Sequence, residues 1–326
     1  MMTEGTVSQT CRCARRMAGM LMGLAGVLAA QQPATVSGPT SGLVYDRTAG
    51  VLRPVMGLPG GATLGSGIPL NYPANWVVVA PRLDSAVVAA QDGSLHFLAL
   101  ASGGLTEVAV PGVTGVPDSV VYSPSGTAAA LLYAAQAQVV TGFPNAPVLG
   151  KVLPLDVAPE THVRTAARMA TGTVALSDDG AVLLEARGGT VRLAGAGGRS
   201  SLINGMMAAF APGGHDAAVA DGAGVTLVRS VDGAAQRTVL ADSGVPSPVG
   251  LAFSADGTTV FAAVAAGVVA LGTAGGAPNQ VACTCAPAEM AAMGSVFRLN
   301  EPGQGPMWLL DPGNAAPRTV FVPALQ

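Results

Sequence analysis

A short polar corner between two apolar runs recurs along this chain. Its clearest copies are Tyr122-Ser-Pro-Ser-Gly126, Ala175-Leu-Ser-Asp-Asp-Gly180, Phe210-Ala-Pro-Gly-Gly214 and Phe253-Ser-Ala-Asp-Gly257, separated by about 34 to 54 residues. Ser, Pro, Asp and Gly favour tight turns because they preset backbone angles, tolerate positive φ or bond to the neighbouring main chain. The pattern therefore predicts a repeated all-β unit in which each corner joins two strands.

Six such units align when each is divided into four short strands. They span residues 75–112, 117–157, 171–204, 206–243, 246–286 and 289–326. Asp-Gly pairs such as Asp92-Gly93 separate β-rich runs inside the units, which is a strong hairpin signal. The Ala-rich segment Thr127–Gln138 also suits a helix, but the corner before it favours a strand.

The predicted fold is an all-β propeller of six to seven four-stranded blades over residues 43–326, because four strands per roughly 40–45 residues is the spacing of a propeller blade. The fragment 43–56 contains two apolar runs that match the third and fourth strands of a blade. The total is thus six blades and an extra hairpin, or seven with one incomplete. We expect this hairpin to dock on the carboxyl-terminal blade and close the ring, burying Leu43, Tyr45 and Leu52.

The corners Tyr122-Ser-Pro-Ser-Gly126 and Phe253-Ser-Ala-Asp-Gly257, each followed by an apolar strand, resemble the repeats of bacterial YVTN and WD40-like β-propellers. The resemblance covers about residues 42–326. The units lack the Trp-Asp dipeptide of WD40 repeats and the Tyr-Val-Thr-Asn signature, so the subfamily stays open. The resemblance implies the propeller fold, and such families include binding, scaffolding and enzymatic members.

The amino end has the three parts of a secretory signal peptide. Arg12, Arg15 and Arg16 precede a 14-residue apolar run, Met17–Ala30, which ends in small residues. We expect residues 1–30 to be removed, Gln31 to begin the mature protein, and the protein to be secreted or periplasmic. The Arg15-Arg16 pair also permits twin-arginine export. Residues 31–42 then form a Pro/Ser/Thr/Gly linker before the single propeller domain.

Charge and hydropathy exclude two classes of partner. Removing residues 1–30 takes away three arginines and Glu4, leaving a net charge of −5 and one lysine, Lys151. Nucleic-acid binding needs a basic surface, so we expect no nucleic-acid partner. After residue 30 no apolar run approaches the ~18 residues of a spanning helix, so no membrane span is expected once the signal is removed.

Few residues stand out as candidates for chemistry. The three histidines, His96, His162 and His215, lack the spacing of a metal site. Cys283 and Cys285 are expected on the last strand of the fifth unit, with both side chains on one face. They are interpreted as two small buried or half-buried thiols, or as a redox or disulfide pair, and metal binding is a remote third possibility. The carboxylates lie in turns, and Trp76 and Trp308 lie in apolar strands, where core packing is favoured over sugar stacking.

We therefore identify no catalytic, cofactor-binding or metal residues and expect no cofactor. The sequence favours an exported, non-catalytic propeller that binds an unknown protein or small-molecule ligand, or acts as a scaffold. The alternative is a propeller hydrolase or lyase, such as a lactonase-like enzyme. The inner strands are predicted to be apolar, and three or more Asp, Glu, His or Asn side chains converging in the central channel would favour the alternative.

Overall fold

A computed structural model describes residues 39–101, 104–155, 174–194, 200–303, 305–313 and 316–324. The described residues form an all-β propeller of seven antiparallel sheets, each of four strands. This confirms the predicted fold and fixes the number of blades at seven. The predicted signal peptide 1–30, linker residues 31–38 and His162 lie outside the described residues. Within the described part, no helix has the length and apolarity of a membrane span.

Blades 2 to 7 share one arrangement, in which consecutive strands are neighbours. The inner strands are β5 (Ala74–Val79), β9 (Ser119–Tyr122), β13 (Val174–Leu176), β17 (Met207–Phe210), β21 (Gly250–Phe253) and β25 (Ala291–Met293). The second strands are β6 (Ser85–Ala90), β10 (Ala128–Leu132), β14 (Leu183–Arg187), β18 (Ala217–Ala220), β22 (Thr259–Val264) and β26 (Val296–Arg298). The third strands are β7 (Leu95–Ala101), β11 (Gln136–Thr141), β15 (Thr190–Ala194), β19 (Val225–Arg229), β23 (Gly267–Gly272) and β27 (Met307–Asp311). The outer strands are β8 (Gly104–Val108), β12 (Val148–Pro154), β16 (Ser200–Asn204), β20 (Gln236–Ala241), β24 (Asn279–Ala282) and β28 (Arg318–Val322).

The recurring corner joins the inner strand to the second strand, and its residue types explain its geometry. In three blades the glycine N–H donates to the carbonyl of the serine three positions earlier, at 2.9–3.0 Å: Gly126 to Ser123, Gly180 to Ser177 and Gly257 to Ser254. These glycines have φ of +72°, +68° and +69°. Glycine adopts that region without strain, so it is strongly favoured at this corner position.

The Ala-rich segment is a strand because it is covered on both faces. Every residue of β10 is buried, and the same holds for β6 and β18, which are equally rich in small residues. Ala128 and Ala130 pack towards blade 4, while Ala129 and Leu131 pack towards blade 2. Small side chains allow two sheets to approach from opposite sides, and this tertiary packing outweighs the helix propensity of alanine.

Blade 1 differs from the other six. It contains β1 (Thr40–Asp46), β2 (Val51–Met56), β3 (Thr63–Leu64) and β4 (Ile68–Pro69), and both short strands pair with β2. The blade is therefore three strands wide, with β3 and β4 sharing the outer position. The prediction that the hairpin supplies third and fourth strands is wrong, because β3 and β4 lie outside it and β1 lies innermost. Residues 40–42, predicted as linker, already belong to β1.

The predicted docking of the amino-terminal hairpin on the carboxyl-terminal blade is found in the structure. Val44 and Val55 pack with Met293, Leu309 and Val320, all buried. The hairpin and blade 7 are separate sheets, so side-chain packing joins them and no strand pairing does. Leu52 is buried as expected, whereas Leu43 and Tyr45 are only half-buried because they face the central cavity.

Candidate functional site

A cavity of about 790 Å³ lies among the inner strands. Its volume is within the range of small-molecule sites, roughly 300–1,000 Å³. As predicted, the inner strands supply apolar walls, including Trp76 to Ala80 of β5 and Ala291 to Met293 of β25. Trp76 is half-buried in this wall and takes part in both the lining and the core, a role that the prediction of simple core packing missed.

The cavity is not centred in the ring. Consecutive residues of β5 and β25 line it, together with Leu43, Tyr45 and Arg47 of blade 1. Blades 5 and 6 contribute only Met207, Pro248 and Val249, and the described residues of blade 4 contribute none. Blades 1, 2 and 7 supply most of the lining, and blade 3 adds Asp118, Ser119 and Val120. The space is therefore displaced towards blade 1, where the blade architecture departs from the repeat.

Charged side chains gather at one end of the cavity, which we call the mouth. Arg298 Nε donates to Glu289 Oε1 at 2.7 Å, and both side chains are about four-fifths covered. The pair Arg47–Glu301 is looser, at 3.6 Å, and close to half exposed. Beside them the Tyr45 hydroxyl donates to the Ala74 carbonyl at 3.0 Å. These charges escaped sequence analysis because they lie outside the strands or on a second strand and carry no motif.

Apolar side chains close the opposite end. Leu83 lines the cavity there and has φ of +62°. Its N–H donates to Ala80 O, so it occupies the corner position that Gly126, Gly180 and Gly257 hold in other blades. A leucine in this region is strained by about 1–2 kcal/mol, and such strain concentrates at functional sites.

The acidic residues of the cavity do not form a catalytic or metal cluster. Asp118, Glu289 and Glu301 all line it, but Glu289 and Glu301 are each paired with an arginine. Among the described residues, no group of three or more His, Cys, Asp or Glu side chains is placed to hold a metal ion. The cavity thus has the number of acids named above as favouring a hydrolase, but two of the three are engaged by arginines.

A second polar arrangement lies on blade 2, beside a pocket of about 230 Å³ lined by Ser94 and Glu107. Ser94 Oγ is 2.7 Å from His96 Nε2, and His96 Nδ1 is 2.6 Å from Glu107 Oε1. The order hydroxyl, imidazole, carboxylate is that of an activated serine nucleophile. Ser94 Oγ also donates to Asp92 Oδ1 at 2.6 Å, which competes for the same proton.

The His96 ring is held by stacking as well as by hydrogen bonds. Tyr72 lies parallel to it, with ring centroids 3.8 Å apart. Burial, reinforced by the charge of Glu107, raises the pKa of the Tyr72 hydroxyl to about 12. From the sequence alone, metal binding is the only role that His96 suggests. The available signal was the spacing of Ser94, just before β7, and His96, two residues later on β7, but pairing with Glu107 on β8 required the sheet register.

The other singled-out residues lie away from the cavity. His215 bridges two carboxylates in turns of blades 4 and 5, with Nδ1 2.7 Å from Asp232 and Nε2 3.1 Å from Asp179. Cys283 and Cys285 are joined in a disulfide, with Cα atoms 5.2 Å apart. They follow the end of β24 at Ala282, so the prediction that they lie on the last strand is wrong. A redox role for the pair stays a prediction.

Comparisons with known proteins show similarity in fold only. No family model matches the chain, and no curated protein matches it in sequence. It is similar to a functionally unknown protein from Desulfotomaculum acetoxidans, at 14% identity and a TM-score of 0.56 over 87% of this chain and 95% of that one. It is also similar to a protein from Bacteroides fragilis provisionally described as a 6-phosphogluconolactonase, at 13% identity and a TM-score of 0.51 over 89% and 95%.

A weaker likeness links it to the β-propeller domain of Cps50 (Swd1) from Myceliophteria thermophila, at 15% identity and a TM-score of 0.42 over 61% of this chain and 66% of that one. The first two similarities show the fold alone. At these identities the likeness carries no activity to this chain.

Proposed function

We propose that this protein is a non-catalytic binding module whose ligand occupies the central cavity. The observation that carries the proposal is the cavity itself: about 790 Å³, with apolar walls and a charged mouth. Apolar walls supply affinity through burial, and a few placed polar groups orient the ligand. Because Glu289 is paired with Arg298 at 2.7 Å and Glu301 lies 3.6 Å from Arg47, the mouth suits recognition by hydrogen bonding and charge better than acid–base chemistry.

A panel of probes tests the binding proposal. Sugars, sugar lactones, nucleotides, amino acids and short apolar peptides are titrated against the full chain, with melting temperature as the readout. The blocking variant is Ala292→Trp, since Ala292 is exposed and lines the cavity. Its matched control is Ala234→Trp in the exposed turn between β19 and β20.

We expect at least one probe class to stabilise the wild type and the Ala234→Trp control but not the Ala292→Trp variant. If no probe stabilises the wild type, or if Ala292→Trp binds as well as the control, the cavity is not a binding site.

The Ser94–His96–Glu107 arrangement supports a second candidate function, hydrolysis at an activated serine. His96 Nε2 is placed to accept the Ser94 proton as Oγ attacks, and Glu107 is placed to hold the imidazole in orientation. The B. fragilis neighbour's description as a lactonase adds only a fold-level analogy. The competing bond to Asp92 is the reason that we rank this function second.

A fluorophosphonate probe tests the second function. In that reaction Ser94 Oγ bonds to phosphorus, fluoride leaves, and His96 Nε2 takes the proton. If Ser94 is a catalytic nucleophile, the probe labels it in the wild type, and the labelling is lost in His96→Gln. The control is Ser243→Ala, which should not change the labelling; Ser243 is exposed and bonds to Asp242 at 3.0 Å. Absence of labelling in the wild type removes the hydrolase from consideration.

Export is the remaining part of the proposal, and residues 1–30 alone support it. Arg12, Arg15 and Arg16 followed by the apolar run to Ala30 form the pattern of a signal peptide. Amino-terminal sequencing of native material should begin at Gln31. An intact amino terminus recovered from the cytoplasmic fraction would exclude export.

A further inference from the structure

The strand of blade 1 nearest the cavity runs opposite to the inner strands beside it. β1 lies between β5 and β25. Its carboxyl end meets the start of β5, where Tyr45 donates to Ala74 O. Its amino end lies beside the corners that follow β5 and β25. Those two corners are in contact, since Gly294 N, after β25, donates to Pro81 O, after β5, at 2.8 Å. Ser41 of β1 lies next to them, because a Cβ on Gly294 would be 2.9 Å from Ser41 O. By direction β1 thus corresponds to the second strand of a blade.

In blades 2 to 7 the innermost strand runs opposite to the second strand. Among the described residues, blade 1 has no innermost strand that runs in that direction. The second strands β6 and β26 each pair with an inner strand and with a third strand, whereas β1 pairs with β2 alone. The cavity occupies this position, because Leu43 and Tyr45 line it together with consecutive residues of β5 and β25.

The main-chain groups of β1 that face the cavity can be identified from the register. Leu43 lies opposite Pro54, and Tyr45 opposite Leu52. Proline has no N–H, so Leu43 and Pro54 cannot exchange two hydrogen bonds and form a non-hydrogen-bonded pair. Hydrogen-bonded and non-hydrogen-bonded pairs alternate along antiparallel strands, so Tyr45 and Leu52, two residues along, also form a non-hydrogen-bonded pair. The N–H and C=O groups of Leu43 and Tyr45 therefore point away from β2, and no hydrogen bond joins them to another described residue.

We propose that the ligand is an extended apolar peptide of a partner protein that adds to β1 as the seventh inner strand. This inference rests on the proposed binding function and specifies its ligand. Alternating N–H and C=O groups at the spacing of a strand are complementary to another extended main chain. A peptide antiparallel to β1 runs in the direction of β5 and β25. About five residues, at roughly 3.3 Å each, match the regular part of β1, residues 42–46.

The cavity walls fix the orientation and character of this peptide. Side chains on one face meet Val77 and Val79 of β5, and those on the other meet Ala291 and Ala292 of β25. Because the peptide is antiparallel to β1, its amino end lies at the mouth. Glu301, loosely paired at 3.6 Å and 42% exposed, has carboxylate capacity left for a peptide amino group.

The first experiment uses a panel of pentapeptides of Val, Ile, Leu, Thr and Ala with free amino ends, titrated by calorimetry against the full chain. For the tightest member, N-methylation of the amides that face β1 should weaken binding about tenfold for each lost hydrogen bond. N-methylation of the alternate amides is the matched control and should change affinity little. Equal losses from both sets contradict strand addition.

The second experiment alters the edge of β1. Leu43→Pro removes the N–H that faces the cavity without removing a bond to β2, and proline is tolerated at a strand edge. Leu43→Ala keeps that N–H and is the control for the lost side chain. We expect about tenfold weaker binding in Leu43→Pro than in Leu43→Ala. Glu301→Gln should weaken the free-amine peptide but not its acetylated form. Equal affinities for the two Leu43 variants overturn the proposal.

Amide hydrogen exchange separates strand addition from other modes of binding. Peptide addition should slow exchange at Leu43 and Tyr45 specifically. If metabolites bind and no peptide does, the peptide inference fails while the binding function stands; if nothing binds, both fail. If peptides bind only after residues 1–38 are deleted, this chain's own amino-terminal segment is the occupant and a partner peptide is excluded.

Discussion

Gly42 of β1 and Met293 of β25 are packed so closely that a Cβ on residue 42 would overlap the Met293 side chain. Both residues are buried, and the contact joins the first blade to the last. A larger residue at position 42 would force the Met293 side chain to move. The closure of the ring therefore depends on a side chain from one end of the chain fitting against the backbone of the other.

Substituting Gly42 tests this closure. Gly42→Val should destabilise the protein by about 1–3 kcal/mol through overpacking, measured by denaturant unfolding. Gly303→Val is the control, because nothing lies within 4 Å of a Cβ at Gly303. In a Met293→Ala background the cost of Gly42→Val should fall, since the overlapping side chain is gone. An unchanged cost in that background would contradict a direct contact.

Truncation tests the contribution of blade 1 as a whole. Deleting residues 1–57 removes Val44, Leu52 and Val55, which are 0–1% exposed and are each worth about 1.5–3 kcal/mol of burial before entropy is subtracted. The expected result is a lower melting temperature and aggregation through the uncovered face of blade 7. Deleting residues 1–37 leaves β1 whole and should cause neither effect. Equal behaviour of the two truncations would refute closure by the hairpin.

The cluster around His215 predicts how stability depends on pH. Burial lowers the pKa of His215, but hydrogen bonds to Asp179 and Asp232 outweigh burial and raise the pKa above 6.5. Burial raises the pKa of Asp179, but bonds from Ser177, the Ala181 N–H and His215 prevail and lower it from 3.8 to about 2.

The two shifts place the stabilising window between about pH 4 and 6.5. The histidine contribution is complete below about 6.5 and is lost as pH rises through its higher folded-state pKa. The Asp179 contribution is complete above about 4 and is lost as pH falls towards 2. The melting-temperature difference between wild type and His215→Gln should therefore shrink from pH 5.5 to pH 8.5. Asp216→Asn, a control in the same corner, should show the same pH dependence of melting temperature as the wild type. If the difference between wild type and His215→Gln is equal at pH 5.5 and pH 8.5, the His215 cluster does not contribute to the pH dependence of stability.

The positions of the strands were predictable because the corners and the strands are each determined by residues close together in the sequence. Ser123, Ser177 and Ser254 with their glycines specify turns, and the apolar runs between them specify buried strands. Even β10 was predictable, since its corner outweighed its alanine content.

The site was not predictable in the same way. The direction of β1 depends on which neighbours its hairpin docks against. Only the register shows that the main-chain N–H and C=O groups of Leu43 point away from Pro54 and β2. The mouth combines Arg47, Glu289, Arg298 and Glu301 from segments more than 240 residues apart. Ser94, His96 and Glu107 are close in sequence, yet their hydrogen-bonded order depends on the pairing of β7 with β8.

The most direct test of the central claim is a crystal structure of the full chain with the tightest pentapeptide. The account predicts density for an extended chain in the cavity, antiparallel to β1, hydrogen-bonded to the main chain of Leu43 and Tyr45, with its amino end beside Glu301. Peptide density on another surface, or an inner position of blade 1 already filled by residues preceding Pro39, would contradict it.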